Sequence, residues 1–531
     1  MRLTEAQIDI TQDLEWVPCF DSFTCTKIGV PIDYDNPWST IPVSFMKWTS
    51  NSTSANSTAQ DILLNPGGPG GSGIEALQSG LSNFLAALGT ENNLVGFDPR
   101  GVSNSWPNLS CFPYHERGTS RIYRDLDIPV NMNDPRSYGE AYARATAFGE
   151  FCTKAHRGPY DFAKFANTVA TAYDLRRYIE LLAKSKGQNV QDAQLWYYGL
   201  SYGTVLGTTF AALFPNRVGR IAVDGVVDGE DYYNNGWNAN IVDGDDAFRY
   251  FFKSCYDAGK DKCSFWADSP DVIENRFNEI LGTLDQLPLA VTMDLPTIVT
   301  STHLKMVMVM ATYYPLDSYV DFANMLVELE NGNGTSIADT LGLGVIPYDD
   351  CSSDMPPAKA FHDIEPRQLI ACTDANGRGN LTYGNFVGRA DALIKTSKYL
   401  GEAWAAGTSV NCHKLDIKAP KSQVLNEYPG APKTSNPLFF LSPLIDPVTP
   451  LRSAQKMAAR FGGAKLLIQD SVGHTTTASV SECTYGYLRK YFSCGSLPED
   501  GTHCPADRFP FQDLPIGGRS AKMMKRGLWG F

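Results

Sequence analysis

Between residues 60 and 228 short apolar runs alternate with longer amphipathic stretches. The runs DILLN (61–65), NLVGFD (93–98), QLWYYG (194–199) and RIAVDG (220–225) have strand length and continuous apolar centres. Such strands are buried on both faces. The stretch NTVATAYDLRRYIELLAK (167–184) places Val169, Ala172, Tyr173, Arg176, Ile179 and Leu182 on one helical face. Strands and helices in that alternation predict an α/β protein with a mostly parallel central sheet covered on both sides. Earlier, TKIGVPIDY (26–34) and IPVSFMKW (41–48) read as strands, and the polar run 49–60 as a surface turn. After residue 228 the rhythm lapses into some two hundred residues of helical pattern, rich in aromatics and Asp, without clear strands. It returns at NPLFFLSPLIDPVTP (436–450), followed by a helix over 451–462 and a strand over 464–470. The expected organisation is a core formed by 1–228 and 436–531, interrupted by a large helical cap over 229–435. No internal repeat is present.

A serine sits at the sharpest turn of this pattern. Gly199-Leu200-Ser201-Tyr202-Gly203 is a G-x-S-x-G placed between a buried strand and a helix that ends before Pro215. A reversal there needs small flanks, because bulk on either side would strike neighbouring backbone. A serine hydroxyl needs a base, and the base an orienting acid. His474, in a loop past the strand 464–470, and Asp446, after the strand of 436–445, follow Ser201 in the order Ser, Asp, His. His413 and His503 sit beside cysteines in irregular sequence and read as structural or surface residues. Asp224 and Asp228, at the end of the strand after the serine helix, are rival acids, their bland role being hydrogen bonding within a turn.

The loop NPGGPGGSG (65–73) connects a strand to a helix. Its glycines at 68, 70 and 73 fit G-x-G-x-x-G, the spacing of a dinucleotide-binding turn, yet Pro69 removes an amide from the fingerprint and no Lys-[ST] follows. A serine hydrolase needs a second source of N–H groups for its oxyanion, from an earlier strand-to-helix loop, and this loop fits that role.

A formal charge of −13 with no basic tract excludes a nucleic-acid partner. No apolar run is long enough to span a bilayer. Residues 1–15 lack the apolar core of a signal peptide, so the default expectation is a cytoplasmic protein. Twelve cysteines, with close pairs Cys19/Cys25 and Cys255/Cys263 and no C-x-x-C, fit instead an oxidising compartment, as do N-x-[ST] sequons at Asn51, Asn56, Asn108, Asn333 and Asn380. A secreted protein is the alternative.

Taken in order, LEWVPC, VPIDYDNP, LLNPGGPGGSG, VGFDPRGVSNS, YYGLSYGTVLG, FPNRVGRIAVDGVVD, DPVTPLRSAQKMAARF and VGHTT resemble the tripeptidyl-aminopeptidase-like branch of the α/β-hydrolases, related to proline iminopeptidases. The resemblance runs from about residue 14 to about 504. It implies an α/β-hydrolase fold with a cap, a nucleophile at Ser201, an acid at Asp446, a base at His474, and oxyanion donors at Tyr202 and Gly68. It implies further that Asp98 and Arg100 brace the loops behind the site, that Cys483 pairs with Cys504, and that Cys494 is an extra thiol. The expected activity is hydrolysis of short peptides near a free N-terminus through an acyl-enzyme, with no metal or organic cofactor. An acidic cap residue would meet the amine, with the run 243–246 (DGDD) a candidate. The alternative is an ester, lactone or amide of a small natural-product intermediate. A non-catalytic or NAD-binding protein is the remote one. Two features depart from the family: few residues precede W-x-P-C where relatives carry a signal peptide, and Ser103 stands where glycine is common.

Overall fold

The computed structural model describes residues 8–50, 59–112, 128–158, 161–344 and 364–512. Sequons Asn51 and Asn56 lie outside them. Thirteen strands are present among the described residues: β1 (Ile10–Thr11), β2 (Val17–Cys19), β3 (Phe23–Asp33), β4 (Asn36–Trp48), β5 (Asp61–Asn65), β6 (Asn93–Phe97), β7 (Leu195–Leu200), β8 (Val218–Asp224), β9 (Leu289–Thr292), β10 (Pro296–Val299), β11 (Phe439–Ile445), β12 (Lys465–Val472) and β13 (Thr502–Pro505). Eleven build one sheet in the order β1-β3-β4-β6-β5-β7-β8-β11-β12-β13, with β2 on β3. From β6 to β13 every pairing is parallel, whereas β4 runs antiparallel to both β3 and β6, and β3 pairs parallel with β1 and antiparallel with β2. This is the α/β-hydrolase fold.

Alternation along each strand separates two cores, because successive side chains point to opposite faces. Ile62 and Leu64 of β5 join Leu94, Tyr198 and Leu441 beneath the helices Gly73–Leu88 and Glu482–Cys494. Leu63 joins Val95, Tyr197 and Val223 on the other face, under the helices Thr168–Ser185 and Tyr202–Leu213.

The chain leaves the sheet after β8 and returns on β11, its immediate neighbour, with Phe439 opposite Ala222. Helices between them gather a third core around Phe248, Phe251, Phe277, Tyr319 and Phe322. That core also takes Val130, Tyr138 and Ala141 from before the serine helix. The intervening segment is not purely helical, since β9 and β10 pair as an antiparallel hairpin. Four-residue strands, one face of which is largely exposed, carry too little alternation to stand out in the sequence.

Five disulfides are formed among the described residues: Cys19–Cys25, Cys111–Cys152, Cys255–Cys263, Cys372–Cys412 and Cys483–Cys504. Cys494 is a free, exposed thiol. No helix among the described residues is long and apolar enough to cross a membrane.

Candidate active site

Four of the five neighbouring parallel strands β5, β7, β8, β11 and β12 end in the sequence-predicted residues. Ser201 follows β7, Asp446 follows β11, His474 follows β12, and the glycine loop follows β5. Carboxyl ends of parallel strands are where open α/β sheets hold ligands.

Ser201 occupies the reversal from β7 into the helix Tyr202–Leu213 with φ +54° and ψ −124°, a conformation unusual for a residue with a side chain. Close approach of backbone explains the flanking glycines. A Cβ on Gly199 would lie 2.4 Å from the Gly203 carbonyl oxygen, and one on Gly203 would lie 2.7 Å from the Asn65 carbonyl oxygen. The turn is pinned from behind: Ser201 N–H donates to the Asp224 carbonyl (3.0 Å), and Thr204 N–H donates to the Ser201 carbonyl (2.8 Å).

His474 Nδ1 lies 3.1 Å from each carboxylate oxygen of Asp446 and 3.1 Å from Thr449 Oγ1. Asp446 is fully buried. Its Oδ1 accepts from Val448 N–H (3.0 Å) and Thr449 N–H (2.8 Å), and its Oδ2 from Thr475 N–H (2.9 Å). Burial alone would raise its pKa, but the His474 ring and these amides outweigh burial and hold it below the usual carboxylate range. An ionised carboxylate only accepts, so Nδ1 carries the hydrogen and Nε2 keeps the lone pair. Tyr313 steadies the ring from the inserted segment: its carbonyl accepts His474 N–H (2.8 Å), and the two rings meet edge to face at 4.9 Å. Among the described residues Ser201 Oγ makes no hydrogen bond with His474. Such contacts are often loose before substrate binds.

The rival acids have other partners. Asp224 accepts from Thr476 N–H (2.8 Å), Thr476 Oγ1 (2.5 Å) and the Tyr198 hydroxyl (2.8 Å), and so anchors the loop just past His474. Asp228 caps the short helix Gly229–Tyr233 and pairs with Lys456 at 2.7 Å. His413 stacks on Tyr142 and accepts from Leu381 N–H, and His503 sits at the surface beside Asp470.

Within the glycine loop, Pro66 and Pro69 have no N–H. Gly67 and Gly71 donate to Asn65 Oδ1 and the Gly67 carbonyl. Gly68 lines a cavity together with Ser201 and Tyr202. Tyr202 N–H, first in its helix, has no intrahelical acceptor. Gly67 went unnoticed in the sequence, yet it makes the closest approach to the turn. With φ +102°, its position would put a Cβ 2.6 Å from the Leu200 carbonyl oxygen and 2.8 Å from Ser201 Cβ. Asp98 holds this loop from below, accepting from Ser72 Oγ (2.5 Å) and from Asn104 Nδ2 (2.9 Å), while Ser72 caps the helix Gly73–Leu88. Arg100 instead ties Asp174 in the helix Thr168–Ser185 to the carbonyls of Pro31 and Ile32 at the end of β3.

The cavity over Ser201 has a volume of ≈ 120 Å³. Trp237, Met310, Tyr313, Ala371 and Trp404, all from the inserted segment, line it together with Val448. No motif announced them, because an aromatic or Met in a helical stretch looks alike whether it faces a core or a cavity. The acidic run is not brought to the cavity. Asp245 accepts from Ser397 Oγ and Tyr399 N–H, Asp246 is exposed beside Arg249, and half-buried Asp243 lies in the field of Arg452 and Asp446 without lining the cavity. Behind the cavity wall, Asp374 accepts from Thr168 Oγ1 (2.5 Å) and the Tyr232 hydroxyl (2.8 Å), and Thr168 Oγ1 in turn meets the Tyr202 hydroxyl (2.5 Å).

Comparison with known proteins finds hydrolases among the relatives of the chain. Residues 397–504 match the family model of TAP-like proteins. The chain is 24% identical to "Serine protease Hip1" of Mycobacterium tuberculosis over 95% of its own length and 93% of that protein. It is 24% identical to "Tripeptidyl aminopeptidase" of Streptomyces coelicolor over 94% and 87%. Against "Carboxylesterase B" of M. tuberculosis the identity is 25% over 90% and 86%. With a parallel sheet of this order and relatives along nearly its whole length, the chain is a hydrolase of the α/β-hydrolase fold with a TAP-like C-terminal segment.

Proposed function

We propose that the chain is a serine hydrolase that forms an acyl-enzyme on Ser201 and acts on short peptides or peptide-like acyl substrates. The observation that carries the reading is the buried Asp446–His474 pair, whose tautomer leaves Nε2 basic on the side of the sheet where Ser201 stands strained at the end of β7. His474 takes the Ser201 hydroxyl proton as Oγ attacks the carbonyl carbon. The N–H groups of Gly68 and Tyr202 receive the oxyanion, each such donor being worth about 3 kcal/mol in the transition state. His474 then gives its proton to the departing amine or alcohol, and water repeats the cycle on the acyl-enzyme. The chain's own residues supply every group these steps use. Relatives named serine protease and tripeptidyl aminopeptidase support a peptide-like substrate.

The apolar cavity favours a second reading, an ester or amide of a small metabolite. Five disulfides and exposed sequons at Asn108, Asn333 and Asn380 support work in an oxidising compartment over a cytoplasmic one. The test is incubation of the protein and its Ser201→Ala variant with a peptide library, free and blocked at the N-terminus, read by mass spectrometry. Serine-dependent cleavage is expected. Equal cleavage by Ser201→Ala would remove Ser201 from the mechanism.

A further inference from the structure

The cavity over Ser201 is lined almost wholly by neutral side chains. Among the described residues that line it there is no carboxylate, and Arg367 is the single charged side chain. Two buried acids that touch its walls are committed elsewhere. Asp374 accepts from Thr168 and Tyr232, and Asp446 from His474 and three backbone amides. An ammonium group entering this space would lose its hydration and meet no anion in return.

Two polar side chains on the lining, Gln368 and Asn235, nonetheless each hold a buried atom, Oε1 and Nδ2, without a hydrogen-bond partner. Gln368 is only 3% exposed, and its Oε1 is buried without a hydrogen-bond partner. It lies on the helix Ile364–Ala375, where Gln368, Ala371 and Cys372 line the cavity, and the Cys372–Cys412 disulfide ties that helix to a second lining residue. A buried polar atom left unpaired is costly, and such groups in native proteins commonly await a ligand or serve a function. Gln368 Oε1 calls for an N–H donor and Asn235 Nδ2 for an acceptor, and an amide carried by an otherwise apolar molecule offers both.

We propose that this cavity receives the acyl part of the substrate, and that this part is an uncharged, largely apolar group carrying one amide whose N–H donates to Gln368 Oε1. An N-blocked aminoacyl group has that chemistry; a peptide end with a free ammonium does not. The inference rests on Ser201 being the nucleophile, as proposed above.

Three p-nitrophenyl esters test it: N-acetyl-phenylalanine, its analogue with the amide N–H replaced by CH2, and phenylalanine with a free ammonium. At pH 6 the blocked ester is expected to exceed the free one at least tenfold in kcat/KM. Gln368→Leu should lower kcat/KM for the blocked ester about tenfold and leave the CH2 analogue unchanged. Gln368→Glu supplies the missing anion and should shift preference toward the free-amine ester. A free-amine ester turned over as fast as the blocked one, equal losses for both neutral esters in Gln368→Leu, or no turnover of any ester would each overturn the inference. Fluorophosphonate labelling of Ser201, measured on every variant, separates these failures from failure of the hydrolase reading. Absence of labelling in the wild type would overturn the latter.

Discussion

Replacing Asp446 by Asn changes one atom and should disable the enzyme. Oδ1 of Asp446 faces two donors, the amides of Val448 and Thr449, and Oδ2 faces two more, Thr475 N–H and His474 Nδ1–H. An asparagine must turn its NH2 toward one of these pairs, so neither orientation avoids two donor–donor conflicts. At about 1–3 kcal/mol for each buried donor left unsatisfied, the strain is about 2–6 kcal/mol. The imidazole can relieve part of it by moving its hydrogen to Nε2, which destroys the base. We expect kcat to fall by about 10³–10⁴, as when the orienting acid of other triads is neutralised. Asp224→Asn is the control. Its Oδ2 faces two hydroxyls, those of Tyr198 and Thr476, which can rotate and accept from an NH2 group. Burial already raises the pKa of Asp224, so a neutral side chain is tolerated there, and activity should stay within about tenfold of wild type. The assay is ester hydrolysis with thermal unfolding measured alongside. A loss in Asp224→Asn equal to that in Asp446→Asn, with both folded, would refute the assignment of the acid.

Gly67→Ala should cost about 10²-fold in kcat or more while the protein stays folded, since the new methyl must displace Ser201 and the Tyr202 amide; ester kinetics with circular dichroism check this. Breaking Cys372–Cys412 with Cys372→Ala and Cys412→Ala should lower stability by about 4 kcal/mol on the chain-entropy estimate for a loop of 40 residues, read by urea unfolding. Asp374 titrates at about 6, pushed up by burial against the hydrogen bonds from Thr168 and Tyr232. Because its folded pKa exceeds the unfolded one, the folded state holds a proton that the unfolded chain releases, and the stability this gives is lost as pH rises through about 6. Asp374→Asn should therefore gain about 1 kcal/mol relative to wild type between pH 5 and pH 7. A constant difference across that range would contradict the linkage.

How much was legible in the sequence follows the physics of each part. Parallel strands buried on both faces must be continuously apolar, so β5, β6, β7 and β8 were visible, and the helices between them showed their 3.6-residue stripe. Ser201, Asp446 and His474 were legible as a set because chain order and strand ends constrain them together. Gly67 was hidden in a run of glycines, where only the fold decides which one meets the turn. The division of roles between Asp98 and Arg100 was equally hidden, since one braces the glycine loop and the other the end of β3 where the chain turns into β4. The inserted segment was opaque. Its aromatics divide between a core around Phe248 and the cavity wall at Trp237 and Trp404, and helical periodicity does not distinguish the two. Gln368 carried no signal at all, because an isolated glutamine on a helix gains meaning only from what surrounds it.

The central claim is that Ser201 is a nucleophile activated by His474. The most direct measurement is intact-protein and peptide mass spectrometry after a fluorophosphonate is added to the wild type, Ser201→Ala and His474→Ala. A single adduct on Ser201 in the wild type, none in Ser201→Ala and a label slowed by orders of magnitude in His474→Ala is the predicted result. An adduct on another residue, or labelling of His474→Ala at the wild-type rate, would contradict it.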